Sequence, residues 1–452
     1  MPTLLEPPRH TPIIEEVDLC VIGGSCTGVF AAVAAARRGL RVAIVEALAY
    51  FGGTGTASMV CVWHSHMNST FDQQIIAGLS IEVMDRLKSR NAVEERTRSA
   101  DIGFVFNPAE LVLELDRLVV EAKVRPHLHT RFVAPILDGP RITHIIIEDK
   151  TGRRAIAAKV FIDASGDADL LHRAGFPCYT PPRIQPPTTC FFFDGVPAGS
   201  EKEVQARIRK ETFNPAHPDA LRPGFLWGAA VPGSQSVYMV AGTRVHGANC
   251  ADADQLTAAE IEGRRQVRAI LDIIRRAIPE AANARLLALP ARIGIRHSRQ
   301  AHCHHQLTQH EVLHGQRFDD AIANGSYRVD VHSDKGEGLI FRYLDGRETE
   351  VLADGRREER RWKTDNAPAA TFYQIPYRSI LPRGAVNLLA AGRCLDADEG
   401  AYGAVRVMVN CNQLGEAAGV AASLAVDRSL GVHEIDTTEL RTRLAAGGAC
   451  VL

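Results

Sequence analysis

A glycine-rich turn between an apolar run and a helical segment constrains the fold of this chain more than any other feature. The turn, residues 23–28, has the sequence GGSCTG; it follows the apolar run 17–22 and precedes the alanine-rich segment 27–40. A second apolar run, 41–45, comes next and is closed by Glu46. Strand, tight turn, helix and strand in this order predict a βαβ crossover, the unit from which parallel sheets are built.

The residues of the turn predict that it holds a dinucleotide. Gly23 permits the tight turn, and Gly28 lets the helix pack closely on the strand. Ser25 has the middle position, where a small residue lets the backbone approach a pyrophosphate and a hydroxyl can donate to it. Glu46, 18 residues after Gly28, is placed to accept hydrogen bonds from a ribose hydroxyl pair. An ordinary βαβ turn without a ligand is the alternative.

A second glycine-rich loop, Gly52-Gly53-Thr54, follows shortly after Glu46. Its backbone N–H groups could reach a phosphate or the ring of a cofactor, and a flexible surface turn is the alternative. His64 and His66 lie just beyond it. Histidine is suited to remove a hydroxyl proton while a hydride leaves carbon, so both are catalytic candidates, although either could be an ordinary polar neighbour.

Later segments predict an antiparallel insertion and a second structural unit. The alternating stretches 131–137 and 142–148 indicate a hairpin, and the run 155–163 indicates a further strand of the parallel sheet. Four prolines between residues 181 and 187 mark a boundary. Beyond it, the sequence TAAE at 257–260 predicts a helix that begins there and extends to about residue 278. The charged segment 345–366 is expected to be an exposed loop or hairpin.

The charge balance indicates the kind of partner, and the cysteines indicate the redox environment. The chain has 52 Lys and Arg against 53 Asp and Glu, so no overall field favours nucleic acid or an anionic membrane, and we expect a small-molecule partner. Ten cysteines without a C-x-x-C pair are typical of reduced thiols. No stretch reaches the roughly 18 apolar residues of a membrane span, and the first residues lack a secretory signal. We therefore expect a cytoplasmic protein.

Several segments, in this order and spacing, resemble one known family: residues 21–28, 52–54, 161–169, 294–296, 330–332, 373–378, 391–394 and 403–419. The chain is similar to the FAD-dependent oxidoreductases of the glutathione-reductase-like Rossmann superfamily, in the branch called the FAD-dependent oxidoreductase family. The resemblance implies an α/β fold with a Rossmann-type FAD-binding parallel sheet, an antiparallel β insertion and a second, mixed α+β substrate domain. We expect an FAD-binding domain in two parts, 1–185 and 371–452, around a substrate domain at 186–370.

The resemblance also implies FAD as the cofactor and assigns residues to its parts. The residues that it assigns to the pyrophosphate and the adenosine are Gly23, Gly24, Ser25, Gly28, Glu46, Gly52, Gly53, Thr54, the backbone near Phe132, and Ala164, Ser165 and Gly166. Gly392 and Arg393 would approach the ribityl chain. Arg406, Val407 and Met408 would direct a helix N-terminus at the pyrimidine edge of the flavin, where the helix dipole favours negative charge.

Further candidates for the substrate pocket are Arg296, Arg299 and His332, which belong to stretches that resemble the family. Arginine is suited to bind a carboxylate or another polar oxygen. His297, however, stands where the family pattern leads us to expect an acidic residue. A metal site at the histidines 302–305 is not expected, because adjacent strand residues point to opposite faces and too few ligands converge.

The sequence thus predicts a flavoenzyme that passes a hydride between FAD and a small organic substrate, an alcohol or an amine. No second G-x-G-x-x-G unit is present, so we expect an external electron acceptor or donor in place of a built-in NAD(P)H domain. A reductase of activated C=C bonds is one alternative. An electron-transfer subunit and a non-catalytic flavin-stabilised scaffold are the others.

Overall fold

The chain forms one mostly parallel sheet, several smaller antiparallel sheets and the helices that pack on them. The structure is a computed structural model and describes residues 2–99, 102–197, 199–332, 338–352, 356–364 and 368–452. The strands are β1 (Ile13–Ile22), β2 (Val42–Val45), β3 (Val62–Trp63), β4 (Val93–Glu95), β5 (Phe104–Phe106), β6 (Arg125–His127), β7 (Arg131–Asp138), β8 (Arg141–Asp149), β9 (Gly152–Asp163), β10 (Cys178–Tyr179), β11 (Phe191–Asp194), β12 (Trp227–Ala230), β13 (Tyr238–Ala241), β14 (Arg285–Ala288), β15 (Gln300–Ala301), β16 (Ala321–Gly325), β17 (Val329–His332), β18 (Leu339–Arg342), β19 (Arg347–Val351), β20 (Arg357–Arg361), β21 (Tyr373–Pro376) and β22 (Leu388–Ala390). The helices are α1 (Cys26–Ala36), α2 (Leu79–Lys88), α3 (Pro108–Glu121), α4 (Asp169–Arg173), α5 (Glu201–Thr212), α6 (Ala253–Ala277), α7 (Gln309–Leu313), α8 (Glu399–Val405), α9 (Met408–Arg428) and α10 (Thr437–Ala446).

The main sheet has the strand order β6-β2-β1-β9-β8-β7, and β22 also pairs with β9. Strands β6, β2, β1, β9 and β22 are parallel, whereas the hairpin β7–β8 is antiparallel. Strand β2 is apolar and buried over its whole length, and its alternate residues belong to two separate hydrophobic clusters, one on each face of the sheet. Burial on both faces is typical of parallel sheets. The predicted Rossmann-type parallel sheet with an antiparallel insertion is therefore confirmed.

Two parallel helices cover one face of this sheet with their backbones in close contact. A Cβ atom on Gly415 of α9 would lie 2.1 Å from the carbonyl oxygen of Thr27 in α1, and one on Gly419 would lie 2.1 Å from that of Ala31. From the first contact to the second, the residue number rises by four in both helices, so α1 and α9 run parallel. Their N-termini therefore lie at the same end of the sheet.

The segment from β11 to β20 forms mixed helical and antiparallel structure. Strands β12, β13, β11 and β14 form one antiparallel sheet, and β17 to β20 form another. The first of these sheets packs with α5 and α6 around a hydrophobic core that includes Phe191, Phe193 and Ile270. This agrees with the predicted mixed α+β region, and the division at 185/186 and 370/371 stays a prediction.

The structure corrects two helix boundaries. Helix α6 begins at Ala253, capped by Asp252, whose side chain accepts a hydrogen bond from the Gln255 amide. The start predicted at residue 257 was wrong because Thr257 lies inside the helix and donates its hydroxyl to the Ala253 carbonyl. Helix α1 ends at Ala36 and does not continue to residue 40.

Two further sequence features can be located. Strands β19 and β20 form a hairpin within the charged segment 345–366, and β20 is exposed along its whole length. Residues 353–355, 365 and 366 of that segment lie outside the described residues. None of the helices in the described ranges has both the length and the apolar character that crossing a membrane requires.

Candidate functional site

A cavity of about 560 Å³ lies at the carboxyl edge of the parallel strands. Its lining includes the last residues of β1 and β2, Ile22 and Val45, and the residues that follow β9 and β22, Ala164 and Ala391. Ligands of open α/β sheets bind at this edge, because the helix N-termini and the loops after the strands converge there. The cavity is therefore the candidate site.

The glycine turn forms the floor of this cavity in a conformation that other residues would disrupt. Gly23 has φ +99°, and a Cβ atom there would lie 2.4 Å from the Ala164 carbonyl oxygen. A Cβ atom on Gly28 would lie 1.9 Å from the Gly23 carbonyl oxygen. Ser25 caps α1 by accepting a hydrogen bond from the Gly28 amide, 3.3 Å away. The first-turn amides of a helix lack intrahelical partners, so this turn can receive a phosphate.

Glu46 lies beside the turn, buried to 9% exposure, and also lines the cavity. Its carboxylate accepts hydrogen bonds from the amides of Gly24 at 2.6 Å and Leu48 at 2.8 Å. These two bonds fix its orientation and leave lone pairs that can accept a ribose hydroxyl pair. Phe132, predicted to lie near the adenine, lines the cavity as well.

The second glycine loop packs directly on the first. The Gly52 amide donates to the Gly24 carbonyl at 2.8 Å, and a Cβ atom on Gly53 would lie 2.9 Å from the Ser25 Cβ. Gly52 and Gly53 both have positive φ, +109° and +54°. Both line the cavity together with Thr54, so the two loops form one surface.

A largely buried ion-pair network fixes Arg393, which lines the cavity. Its guanidinium group lies 3.2 Å from the carboxylate of Asp167, which also binds Arg292 at 2.6 Å and accepts a hydrogen bond of 2.6 Å from Ser298. Burial by itself would raise the pKa of Asp167, but the charges of Arg393 and Arg292 outweigh it and hold that pKa below its ordinary value. Nη1 of Arg393 is buried and has no partner among the described residues.

The N-terminus of α9 adds further unpaired donors. Its N-cap, Val407, provides no side-chain hydrogen bond, and Arg406, Val407 and Met408 line the cavity. Nε of Arg406 and Nδ2 of Asn412 are buried and find no partner in the described parts of the chain. Since phosphates, carbonyl oxygens and ring nitrogens are acceptors, the donors and the glycine cradles fit a bound FAD.

Among the predicted site residues, the cavity brings most of the cofactor set together. These lining residues are Gly23, Ser25, Glu46, Gly52, Gly53, Thr54, Phe132, Ala164, Ser165, Gly166, Gly392, Arg393, Arg406, Val407 and Met408. Gly24 and Gly28 do not line it; they shape the turn from behind.

Of the five catalytic candidates, two line the cavity, two lie outside its lining, and the side chain of the fifth is not described. His64 and Arg296 line the cavity. His66 lies behind it, 4% exposed, with its ring centroid 4.6 Å from that of Phe104. Arg299 also lies outside the lining and pairs with Asp169 at 3.0 Å. His332 ends β17, and its side chain lies outside the described residues.

His64 is held as a neutral imidazole. Burial first, and then the charges of Arg328 and Arg406, lower its pKa to about 3. Its ring centroid lies 4.1 Å from that of Tyr327. Nδ1 is buried and forms no hydrogen bond with any residue that the structure describes. The imidazole is therefore unprotonated at neutral pH.

Sequence reasoning missed three residues of the site. Tyr327 donates its hydroxyl to Asp330 at 3.2 Å, and Asp330 also pairs with Arg406 at 3.3 Å. Arg244 reaches the cavity from the segment after β13. Asp330 begins a segment that resembles the family, and this could have drawn attention to it and to Tyr327. Nothing in the local sequence distinguishes Arg244 from a surface arginine.

Over the described ranges, no group of three or more His, Cys, Asp or Glu residues could hold a metal ion. His302, one of the histidines of the segment 302–305, lies with its ring centroid 4.5 Å from that of Tyr179. His305 pairs with Glu311 at 3.1 Å.

Comparison with known proteins gives one strong match. The model of the FAD dependent oxidoreductase family matches residues 18–444. No curated protein matches the chain.

Among solved structures, the chain is similar to a geranylgeranyl bacteriochlorophyll reductase-like protein from Thermoplasma acidophilum, at 11% identity and a TM-score of 0.48 over 96% of this chain and 83% of that one. It is also similar to a myxobacterial chondrochloren halogenase, described as FAD-dependent, at 14% identity and a TM-score of 0.46 over 95% and 79%. A third is p-nitrophenol 4-monooxygenase from Pseudomonas putida, at 11% identity and a TM-score of 0.45 over 95% and 85%. Likeness at this level carries no information about the reaction.

Proposed function

We propose a function for this chain on the basis of its family: the chain belongs to the FAD dependent oxidoreductase family. Its cofactor is FAD, which when bound accepts or gives up two electrons as a hydride. We propose that the substrate is a small organic molecule, an alcohol or an amine, and that an external acceptor takes the electrons onward.

The proposed placement of FAD follows the donors and glycine cradles of the cavity. Gly23, Ser25 and the first-turn amides of α1 would hold the pyrophosphate, and Glu46 would accept from the adenosine ribose. Arg393, fixed by Asp167, would approach the ribityl chain. The uncapped N-terminus of α9 would lie near the ring and favour negative charge there, since the helix dipole is positive at that end.

One observation carries the proposed reaction: the cavity that begins at Glu46 continues to His64 and Arg296. The same cavity thus joins a dinucleotide cradle to a region with a neutral imidazole and a guanidinium group. A pocket that brings a few polar side chains together within the protein favours an enzyme that binds a substrate. An electron relay would instead open the flavin edge onto a broad apolar surface.

His64 supports the oxidation of an alcohol or an amine. Its low pKa keeps an imidazole nitrogen free to accept the hydroxyl or ammonium proton of the substrate as a hydride leaves carbon. The same low pKa makes it a weak base, so the proton transfer must be coupled to hydride departure.

Tyr327 favours a second candidate, the reduction of an activated C=C bond. Burial, together with the neighbouring Asp330, raises the pKa of its phenol well above the ordinary value. A phenol that stays protonated is a proton donor, which is what a reductase needs opposite the hydride.

Anaerobic reduction of the FAD-loaded protein tests the proposal. Alcohols, hydroxy acids and amines are mixed with it, and the 450 nm band of the flavin is followed. The proposal expects at least one of these compounds to bleach the band. If none does and only a reductase protein reduces the flavin, the protein is a relay. If the reduced protein is reoxidised by an activated alkene, and Tyr327→Phe abolishes this, the second candidate is correct.

A further inference from the structure

Two arginines of the cavity converge on one neutral hydroxyl. Nη1 of Arg244 donates to Oγ1 of Thr188 at 2.8 Å, and Nη1 of Arg296 donates to the same oxygen. The Thr188 hydroxyl, only 2% exposed, donates its own proton to the Thr243 carbonyl at 2.9 Å. Its one donor and two acceptor positions are thus all used. Because both Nη1 atoms donate to the same oxygen, the distance between these two nitrogens is roughly 6 Å at most.

Neither guanidinium group of this pair has a carboxylate partner among the described residues. Arg244 otherwise donates to the carbonyls of Thr243 at 2.6 Å and Phe225 at 2.9 Å, and Arg296 to that of Pro186 at 2.8 Å. The carboxylate of Asp330 is engaged with Arg406. Burial first, and then the Arg406 charge, lower the pKa of Arg296 to about 10. Burial first, and then the Arg296 charge, also lower the pKa of Arg244 well below its ordinary value, while the Asp330 charge opposes this. Because an arginine side chain keeps its charge even when buried, the two cations repel each other in a region of low dielectric.

Both members of the arginine pair line the cavity, so an anion that enters it can reach them. Nε and Nη2 of Arg296 donate to no residue that the structure describes. A carboxylate would relieve the repulsion and could bind a guanidinium group with two parallel hydrogen bonds.

The wall beside the arginine pair is aromatic. Phe225, Trp227 and Phe341 line the cavity, and the rings of Phe225 and Phe341 meet edge to face with centroids 6.1 Å apart. The backbone of Phe225 is itself bound by Arg244. Aromatic faces stack on flat unsaturated groups. The pair and its wall therefore suit a molecule with an anionic end and a flat body.

We propose that the alcohol or amine substrate is also an organic carboxylate with a flat, unsaturated or aromatic body, and that Arg244 and Arg296 bind its carboxylate. This inference rests on the proposed function, because it names the substrate class of the same site. It assigns binding to Arg244 and Arg296 and leaves proton transfer to His64.

Titration of the FAD-loaded wild-type protein with benzoate, benzamide and sulfate tests the inference without turnover. Binding is measured by calorimetry and by the shift of the visible flavin band. Benzoate and benzamide share a ring and differ in charge, so benzoate is expected to bind at least about tenfold more tightly. Sulfate is expected to bind more weakly than benzoate, because it has no flat body.

Variants locate the anion. Arg296→Gln and Arg244→Gln are each expected to weaken benzoate binding about tenfold and to leave benzamide binding unchanged. Arg296→Lys keeps the positive charge but loses the planar pair of N–H donors, so its affinity for benzoate is expected to lie between those of the wild type and Arg296→Gln. Arg268→Gln, which removes the same charge from an arginine that is 59% exposed on α6, is the control and should bind benzoate like the wild type. The FAD content of each variant, read from its visible spectrum, shows that it is folded.

Equal binding of benzoate and benzamide to the wild-type protein would overturn the inference, as would unchanged benzoate binding by both glutamine variants. Sulfate binding as tight as benzoate would show a site for inorganic anions and would overturn the organic class. The two proposals fail separately. If uncharged alcohols bleach the flavin and alcohols that carry a carboxylate neither bind more tightly nor react faster, only this inference is wrong. If benzoate binds at the arginine pair and no alcohol or amine bleaches the flavin, only the proposed reaction is wrong.

Discussion

The guanidinium group of Arg393 lies 3.2 Å from the carboxylate of Asp167, although the two residues are 226 positions apart in the chain. Asp167 comes from the loop after β9, and Arg393 from the loop after β22. Because β22 pairs with β9, the two loops leave the same edge of the sheet together. The ion pair thus joins the early and the late part of the chain beside the cavity, which Arg393 lines.

Replacement of Asp167 by Asn should be costly. It leaves Arg393 without its carboxylate in a buried place, and Arg292, whose side chain is 36% exposed, also loses its partner. The removal of one partner from a buried pair costs about 3–5 kcal/mol. We expect a loss of unfolding free energy of that order and weaker FAD binding, measured by urea denaturation and by FAD titration. Asp427→Asn breaks a pair with Arg443 in which the Asp427 side chain is 42% exposed, and should cost less than about 1 kcal/mol. Equal losses in the two variants would contradict this account.

The contact between α1 and α9 should not tolerate an added methyl group. In Gly415→Ala the new Cβ would lie 2.1 Å from the backbone of Thr27, so the helices must separate. We expect a loss of about 1–3 kcal/mol in unfolding free energy. FAD affinity should fall as well, because both helix N-termini border the cavity. At Gly224 the nearest atom to an added Cβ is 3.8 Å away, so Gly224→Ala serves as the control. A Gly415→Ala protein as stable as this control would show that the helices are not in backbone contact.

Much of this arrangement could be predicted from the sequence, because it depends on local rules. The turn at residues 23–28 requires glycine for steric reasons, and Glu46 directly follows β2, which the sequence shows as a continuous apolar run. The start of α6 could not be predicted, since Thr257 can cap a helix or bond to the preceding turn, and the tertiary structure decides. Arg244 could not be predicted either. It meets Arg296 only because distant segments pack together.

His64 should give a flat pH profile. Its pKa of about 3 lies below the usual assay range, so the base is unprotonated throughout and its ionisation changes nothing between about pH 5 and 8. We expect kcat/KM to show no rise near pH 6.5. His64→Asn should lower kcat by roughly 10²- to 10⁴-fold while FAD affinity stays unchanged. His310→Asn, at an exposed position, is the control. A rise near pH 6.5 that His64→Asn removes would show an ordinary pKa and contradict the buried, neutral imidazole.

Glu416 should make the fold less stable as the pH rises. It is 7% exposed, and burial raises its pKa to about 7 despite the hydrogen bond from the Leu79 amide and the charges of Arg38 and Arg37. The folded state binds this proton more tightly than the unfolded state. The stability it contributes is therefore full below about pH 4.5 and is lost as the pH rises through about 7.

The size of this effect is about 3 kcal/mol, from a shift of two to three pKa units. Glu416→Gln keeps the acceptor for the Leu79 amide and removes the titration. We expect the difference in unfolding free energy between this variant and the wild type to grow from pH 4.5 to 7.5, measured by urea denaturation at each pH. A difference that stays constant over that range would show that Glu416 has an ordinary pKa.

The most direct test of the whole account is the affinity of the purified protein for FAD and for FMN, before and after Glu46→Ala. We predict that the wild type binds one FAD per chain and that the variant binds FAD roughly ten- to a hundredfold more weakly. FMN lacks the adenosine ribose that Glu46 would hold, so both proteins should bind it equally. A wild-type protein that stays colourless in excess FAD, or a variant that binds FAD as tightly as the wild type, would contradict the account.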